Sequence, residues 1–326
     1  MKITNNFNMP KSVVHAVTHD RYDPGSGDVS CTTLIAPAQI FQLSKETMGD
    51  LKTRDGDDIF LHDLTTEDAT ERIWTLMGSA VHYVLENAIL DMKAKNEWAE
   101  DYISERRFYH TIGGKRVSAQ IDLLEGDELS DFKLTSVWTI KHAIAEFGGK
   151  PEWTAQLNIQ RYLMYHNGIE VKKLWIMAFA RDWNRSGARQ SGDYPPRAVK
   201  ISIPLWSIQK TEEYILSRIN ALYSPLPVLC TPDECWESLT MYALKKKGRK
   251  SALRVFDNEK DIGEWAVDKG HADIALEDPK SVNGIKLKTG FSVEVRIGER
   301  RRCQDYCEVM PFCQQYANWK EENGKL

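Results

Sequence analysis

The stretch 121–134 restricts the fold more than any other part of the chain. Ile121-Asp122-Leu123-Leu124 and Leu129-Ser130-Asp131-Phe132-Lys133-Leu134 read as strands joined by the polar link Glu125-Gly126-Asp127-Glu128. Two such runs across a tight polar link predict a β-hairpin. Alternate side chains of a strand share a face, so Asp131 and Lys133 point the same way and Phe132 points into the core. The hairpin partner brings Asp122 beside them. Two carboxylates and an ammonium at one end of a sheet suit a hard divalent cation with a water held next to it. That is the chemistry of phosphodiester cleavage.

The rest of the chain must build a body around this hairpin. A length of 326 residues accommodates one large elaborated domain or two domains. An apolar fraction of 42% and ten tryptophans support a packed core rather than a disordered chain. Net charge is −4, so no global basic field exists and any nucleic-acid surface must be local. No run of about eighteen apolar residues occurs, which argues against a membrane span. Residues 1–6 lack the apolar core of a signal peptide, so a cytoplasmic location is expected.

Residues 1–30 read as a polar, turn-rich lead-in. A short apolar segment at 31–35 precedes a helix with Pro37 near its first turn. Thr65-Thr66-Glu67-Asp68 resembles a helix start, and Ile73, Met77, Val81, Val84, Leu85 and Ile89 continue at helical spacing towards Lys95. Gly78 and His82 lie one turn apart on that helix. Strands follow at 102–111, 116–124 and 128–133, with Gly113-Gly114 marking the first turn.

A helix at 137–147, a break at 148–151 and a helix at 152–166 come next. Residues 173–180 and 198–203 read as strands and 206–222 as a helix. The expected fold class is α/β or α+β, a central mixed sheet flanked by helices. From Pro225 the texture changes: 240–245, 252–256, 259–267 and 291–296 suggest strand, strand, helix and strand. The expected division is a lead-in at 1–30, a core at 31–236, a small inserted subdomain at 237–300 and a segment at 301–326 closing onto the core.

That last segment holds Cys303-x3-Cys307-x5-Cys313. A cytoplasmic location disfavours structural disulfides. Three closely spaced thiolates then suggest a soft-metal site lacking one ligand.

Gly78-x3-His82, Asp122, Asp131-x-Lys133 and Gln156, in that order, resemble the RecB-like branch of the PD-(D/E)xK nucleases, a restriction-endonuclease-like fold. The arrangement is also similar to the CRISPR adaptation nucleases and to phage exonucleases. The resemblance covers roughly residues 30–205, and the order is more specific than any single motif. It implies that His82, Asp122, Asp131 and the carbonyl of Phe132 ligate Mg²⁺ or Mn²⁺. Lys133 would orient or activate the attacking water, and Gln156 would position Lys133 or the scissile phosphate. Two positions depart from the pattern: Gln160 stands where a tyrosine is usual, with Tyr162 nearest, and Ala119 stands where glycine is frequent. RecB-like nucleases of the iron–sulfur type also resemble the cysteine pattern, which implies a [4Fe–4S] cluster on Cys303, Cys307, Cys313 and one distant cysteine. Cys230 is the favoured fourth ligand because closing the insert brings it near Cys303, with Cys31 and Cys235 as alternatives. Zn²⁺ is the rival metal.

The resemblance implies a metal-dependent deoxyribonuclease, an exonuclease acting on DNA ends or single strands in recombination or repair, phage-encoded, with a recombination or annealing protein as partner. The alternatives are a catalytically silent DNA-binding or assembly subunit, and a structure-specific endonuclease with a structural zinc site. Lys245-Lys246-Lys247-Gly248-Arg249-Lys250 and Arg300-Arg301-Arg302 are either solvated tips or phosphate grips. Trp138 and Trp153 flank the expected site and either stack bases or pack in the core. Gly78, being small, is expected to let the helix approach the sheet closely.

Overall fold

The computed structural model describes residues 2–19, 25–50, 66–97, 102–145, 149–274 and 285–325. They divide into two compact units, Met1–Val228 and Leu229–Leu326.

The first unit opens with β1 (Lys2–Thr4), α1 (Lys11–Thr18), β2 (Val29–Ser30), α2 (Cys31–Ile35), α3 (Ala38–Asp50), β3 (Thr66–Asp68) and α4 (Ile73–Ala94). Then come β4 (Ile103–Ser104), β5 (Arg107–Ile112), β6 (Lys115–Gln120), β7 (Leu123–Glu125), β8 (Glu128–Thr135), α5 (Val137–Ala145) and α6 (Pro151–His166). It closes with β9 (Lys173–Ala180), α7 (Arg185–Gln190), β10 (Ala198–Ile203) and α8 (Ile208–Leu222). This is a mixed α/β architecture whose sheets are flanked by helices.

The larger sheet has the order β10-β9-β8-β7-β4. Its one parallel pair is β8 with β9, and the other pairs are antiparallel. A parallel pair needs a long crossover, and α5 with α6 supplies it. The smaller sheet has the order β2-β6-β5. Its β5–β6 hairpin turns at Gly113-Gly114, both at positive φ (55° and 71°). A two-residue turn with φ positive at both centres is what a tight hairpin requires and what glycine allows.

α6 is the hub of this unit. Trp153, Leu157, Ile159, Leu163 and Met164 are all buried, so the helix is covered on nearly every side. Pro151 occupies its first turn, where a missing N–H costs nothing. Asn158, wholly buried, donates to the Thr154 and Pro204 carbonyls at 2.8 and 3.0 Å and accepts from the Trp206 N–H at 2.8 Å. It thereby ties α6 to the chain leaving β10.

The strands expected at 102–111 and 116–124 are both interrupted. Chain 115–125 leaves the small sheet after Gln120 and enters the large one at Leu123, so Asp122 sits at the crossing. The expected helix start differs as well. Thr65 lies outside the described residues, as do Gly148 and the end of the helix expected at 137–147. Residues 66–68 form β3, parallel to β1. The Asp68 carboxylate then accepts from the Thr70 N–H at 3.0 Å and opens a 3-10 turn ahead of α4. Phe132 is buried but its ring faces His82, 5.9 Å between centroids, instead of joining the main core. Alternation places it opposite Asp131, and α4 covers that side of β8.

The second unit contains β11 (Met241–Lys246), β12 (Arg254–Phe256), α9 (Glu259–Asp268), β13 (Ala272–Ile274), β14 (Ile285–Leu287), β15 (Phe291–Arg296) and α10 (Gln314–Glu322). The sheet β12-β11-β15 packs Leu244 and Phe256 against Ile262 and Ala266 of α9. The short pair β13–β14 has too few residues to show alternation in the sequence. The boundaries expected at 236 and 300 fall inside this unit. Among the described residues no helix is long and apolar enough to cross a membrane.

Asn158→Ala removes the acceptor of the Trp206 N–H and the donor of two carbonyls. The expected cost is roughly 1–3 kcal/mol. It should appear as a lower urea midpoint at unchanged m-value.

Candidate metal centre

β8 carries Asp131 and Lys133 on the face that meets α6. Asp131 is only 2% exposed, and its Oδ2 lies 2.8 Å from Lys133 Nζ. Gln156 of α6 joins the two: its Nε2 donates to Asp131 Oδ1 at 2.7 Å, and its Oε1 accepts from Lys133 Nζ at 3.1 Å. The closed triangle fixes all three side chains.

Asp122 reaches the same strand from the crossing between the sheets. Its Oδ2 accepts from the Phe132 N–H at 2.6 Å. His82 of α4 places Nδ1 3.7 Å from that oxygen, and the Phe132 main chain also accepts a hydrogen bond from the imidazole. The structure therefore brings together His82, Asp122, Asp131, the Phe132 backbone, Lys133 and Gln156.

Glu105 is the residue missed in the sequence. His82, Glu105 and Asp122 each offer one ligand atom within 4.8 Å of the others. A readable signal existed. Counting back from the Gly113-Gly114 turn pairs Ile112 with Lys115 and Arg107 with Gln120. The same register sets Glu105 opposite Asp122, where cross-strand side chains share a face. The φ of +49° at Glu105, in the gap between β4 and β5, is a feature that only the folded backbone reveals. Its N–H donates to the Asp122 carbonyl at 3.2 Å, and its carboxylate accepts from Gln120 Nε2 at 2.8 Å.

Crowding of buried carboxylates sets the electrostatics. Burial, then the Asp131 charge, pushes the Asp122 carboxyl well above the ordinary carboxylate value. Burial raises Glu105 too. His82 is lowered by burial against the opposing pull of Asp131, which favours the neutral imidazole that a metal needs. Burial would lower Lys133, but the Asp131 carboxylate outweighs it and the net shift is upward. Lys133 is therefore an ammonium at neutral pH. Asp131 Oδ2 is buried without a well-aligned hydrogen-bond donor. Oxygen donors with one imidazole, short of positive charge, match what Mg²⁺ or Mn²⁺ takes.

Several expectations resolve against packing. A Cβ on Gly78 would meet no atom of the described residues within 4 Å, so close approach of the described sheet does not explain this glycine. Trp153 is a core residue at 8% exposure, whereas Trp138 is 64% exposed. Tyr162 is buried against the rings of His110 and His166, and Gln160 donates to the Gln120 carbonyl at 3.1 Å. Neither of them takes part in the Asp131–Gln156–Lys133 triangle.

Cys31 is buried beside this triangle, where its Sγ donates to the Gln156 carbonyl at 3.6 Å and burial pushes its thiol up. The second unit gathers the other five thiols. Cys235 is hydrogen-bonded to both Cys230 and Cys303, and Cys307 and Cys313 act on Cys303 electrostatically. Those two hydrogen bonds, with Arg300 and Arg302 nearby, hold the Cys235 thiol well below its usual value. Gln315 of α10 pins Cys230 through both its N–H and its carbonyl, at 3.0 and 2.7 Å. Cys235, an alternative in the sequence, thus occupies the middle of the group.

No family model and no curated protein matches the sequence. Among solved structures, SSO0001 is similar over 66% of this chain and 84% of its own, at 12% identity and a TM-score of 0.36. The alkaline exonuclease of Laribacter hongkongensis is similar over 56% of this chain and 91% of its own, at 16% identity and a TM-score of 0.28. Its complex with dAMP is similar over 59% and 90%, at 18% identity and a TM-score of 0.29.

A raised carboxyl binds protons in the folded state before it does so unfolded. Without metal, stability therefore falls as pH rises from about 4, the unfolded carboxylate value, through the folded value of Asp122. Saturating Mg²⁺ or Mn²⁺ should raise Tm at neutral pH and do so less as the pH is lowered. Asp122→Asn and Glu105→Gln should each diminish the metal-induced rise, read by calorimetry with and without chelator.

Proposed function

We propose that this protein is a metal-dependent deoxyribonuclease acting at DNA ends or on single strands. The observation that carries the reading is the Asp131–Gln156–Lys133 triangle beside the His82, Glu105 and Asp122 donors. His82, Asp122, Asp131 and the Phe132 carbonyl would hold Mg²⁺ or Mn²⁺, with Glu105 as a further carboxylate. The cation would acidify a water and neutralise charge developing on the phosphate.

Lys133, kept protonated by Asp131, donates to a phosphate oxygen and favours the transition state as a compact positive charge. It is a donor rather than a base. Gln156 holds Lys133 and Asp131 in one geometry, so neither side chain must reorder when substrate arrives. The order of motifs supports an exonuclease of recombination or repair, and the complete carboxylate and lysine set disfavours a catalytically silent subunit.

Cys303, Cys307 and Cys313 with Cys230 or Cys235 offer the soft thiolates that a [4Fe–4S] cluster or Zn²⁺ takes. Every thiol of this set belongs to the second unit, so such a site would staple residues 229–326.

End-labelled linear DNA and circular single strands, digested with Mg²⁺, Mn²⁺ or chelator, test the reading. Metal-dependent loss of the linear substrate alone is expected. Asp131→Ala and Lys133→Ala should lower the rate at least about a hundredfold, measured on protein that circular dichroism shows to be folded. Undiminished cleavage by purified Lys133→Ala protein would overturn this site. For the thiols, brown protein carrying iron and sulfide in equal amounts is expected, and both should vanish in Cys307→Ser. Zinc in place of iron would select the other metal.

A further inference from the structure

Trp74, Gly78 and His82 recur every fourth residue along α4, so they lie on one ridge of the helix. His82 meets Asp122 at one end of this ridge. Trp74, 52% exposed, stands two turns earlier, and half-buried Gly78 lies between them. Glycine weakens a helix interior relative to alanine. A Cβ here would meet no atom of the described residues within 4 Å, so no packing contact among them asks for it.

The C-terminal end of β8 lies against the same ridge. The Thr135 carbonyl, two residues beyond Lys133, accepts from the Arg181 N–H at 2.8 Å. The Arg181 guanidinium rests 4.8 Å over the Trp74 ring and has no carboxylate partner among the described residues. The next helix turn carries Trp138, 64% exposed and tilted 4.1 Å from the His142 ring. Two exposed indoles and a guanidinium without a carboxylate partner among the described residues thus gather at the end of the strand that bears Asp131 and Lys133.

We infer that this ridge is the track of a single-stranded nucleic acid, with bases stacked on Trp74 and Trp138, a phosphate on Arg181 and the backbone crossing the side-chain-free Gly78 towards His82. The inference rests on the nuclease reading and names its substrate class. Base faces inside a duplex are already stacked on one another, whereas a single strand or a frayed end offers them to aromatic rings. A protein partner would also cover the indoles, but a guanidinium with no carboxylate partner among the described residues calls for an anion, and phosphate is the anion this centre would handle.

Binding of the full chain, with Ca²⁺ in place of Mg²⁺, should be compared for fluorescein-labelled oligothymidylate, an abasic strand of equal length and a duplex. The wild type should hold oligothymidylate roughly tenfold or more above the abasic strand. Trp74→Ala and Trp138→Ala should each weaken oligothymidylate binding by about five- to a hundredfold and erase the preference for bases. Gly78→Leu, a better helix former whose Cβ meets no described atom within 4 Å, should fold normally yet weaken the single strand. Equal binding of abasic and base-bearing strands, or equal losses on duplex and single strand, would overturn the inference. A protein that cleaves DNA without base-dependent binding sinks the track alone. One that binds with this preference yet hydrolyses nothing sinks the nuclease reading alone.

Discussion

The buried carboxylate of Asp131 is the interaction on which the rest of the first unit depends. It is nearly free of solvent, and an isolated charge there would be costly. Lys133 supplies the opposite charge from two residues along the strand, and Gln156 supplies a donor from α6. Removing either would leave a buried anion short of partners. The triangle therefore couples a strand of the central sheet to the central helix. A site built on such rigid elements keeps its geometry better than one carried on loops.

The two-sheet arrangement does the remaining positioning. A single straight strand from 115 to 125 would keep Asp122 in one sheet. The crossing at Asp122 instead lets its carboxylate accept from the Phe132 N–H in the large sheet, while Glu105 faces it across the matching gap. Three carboxylates then converge on one ammonium among the described residues. The upward shifts at Asp122 and Glu105 come first from burial, and the Asp131 charge adds to both. Carboxylate oxygens gathered in this way suit a divalent cation.

The second unit follows a different logic. Its sheet and α9 bury a small apolar cluster around Leu244, Phe256 and Ile262. A small apolar cluster gives limited stability, and natural scaffolds with small cores often add a metal or cross-links. Cys235 and the four thiols around it sit where such a staple would act. Gln315, holding Cys230 by both main-chain groups, shows that polypeptide far apart in sequence is already fixed around them.

Local chemistry made much of this legible beforehand. The hairpin at 121–134, the Gly113-Gly114 turn, strands β9 and β10 and the amphipathic helices follow from alternation, turn residues and apolar period, all of which act over a few positions. Asp131, Lys133 and Asp122 could be placed together for the same reason. The partnership of Glu105 with Asp122 needed a register carried across two strands. The helix that covers Phe132, the lack of contacts for a Gly78 Cβ among the described residues and the central place of Cys235 were decided only when distant segments packed. Neighbouring residues set backbone preference, but which side chains share a buried volume depends on how layers close, and no short window of sequence holds that information.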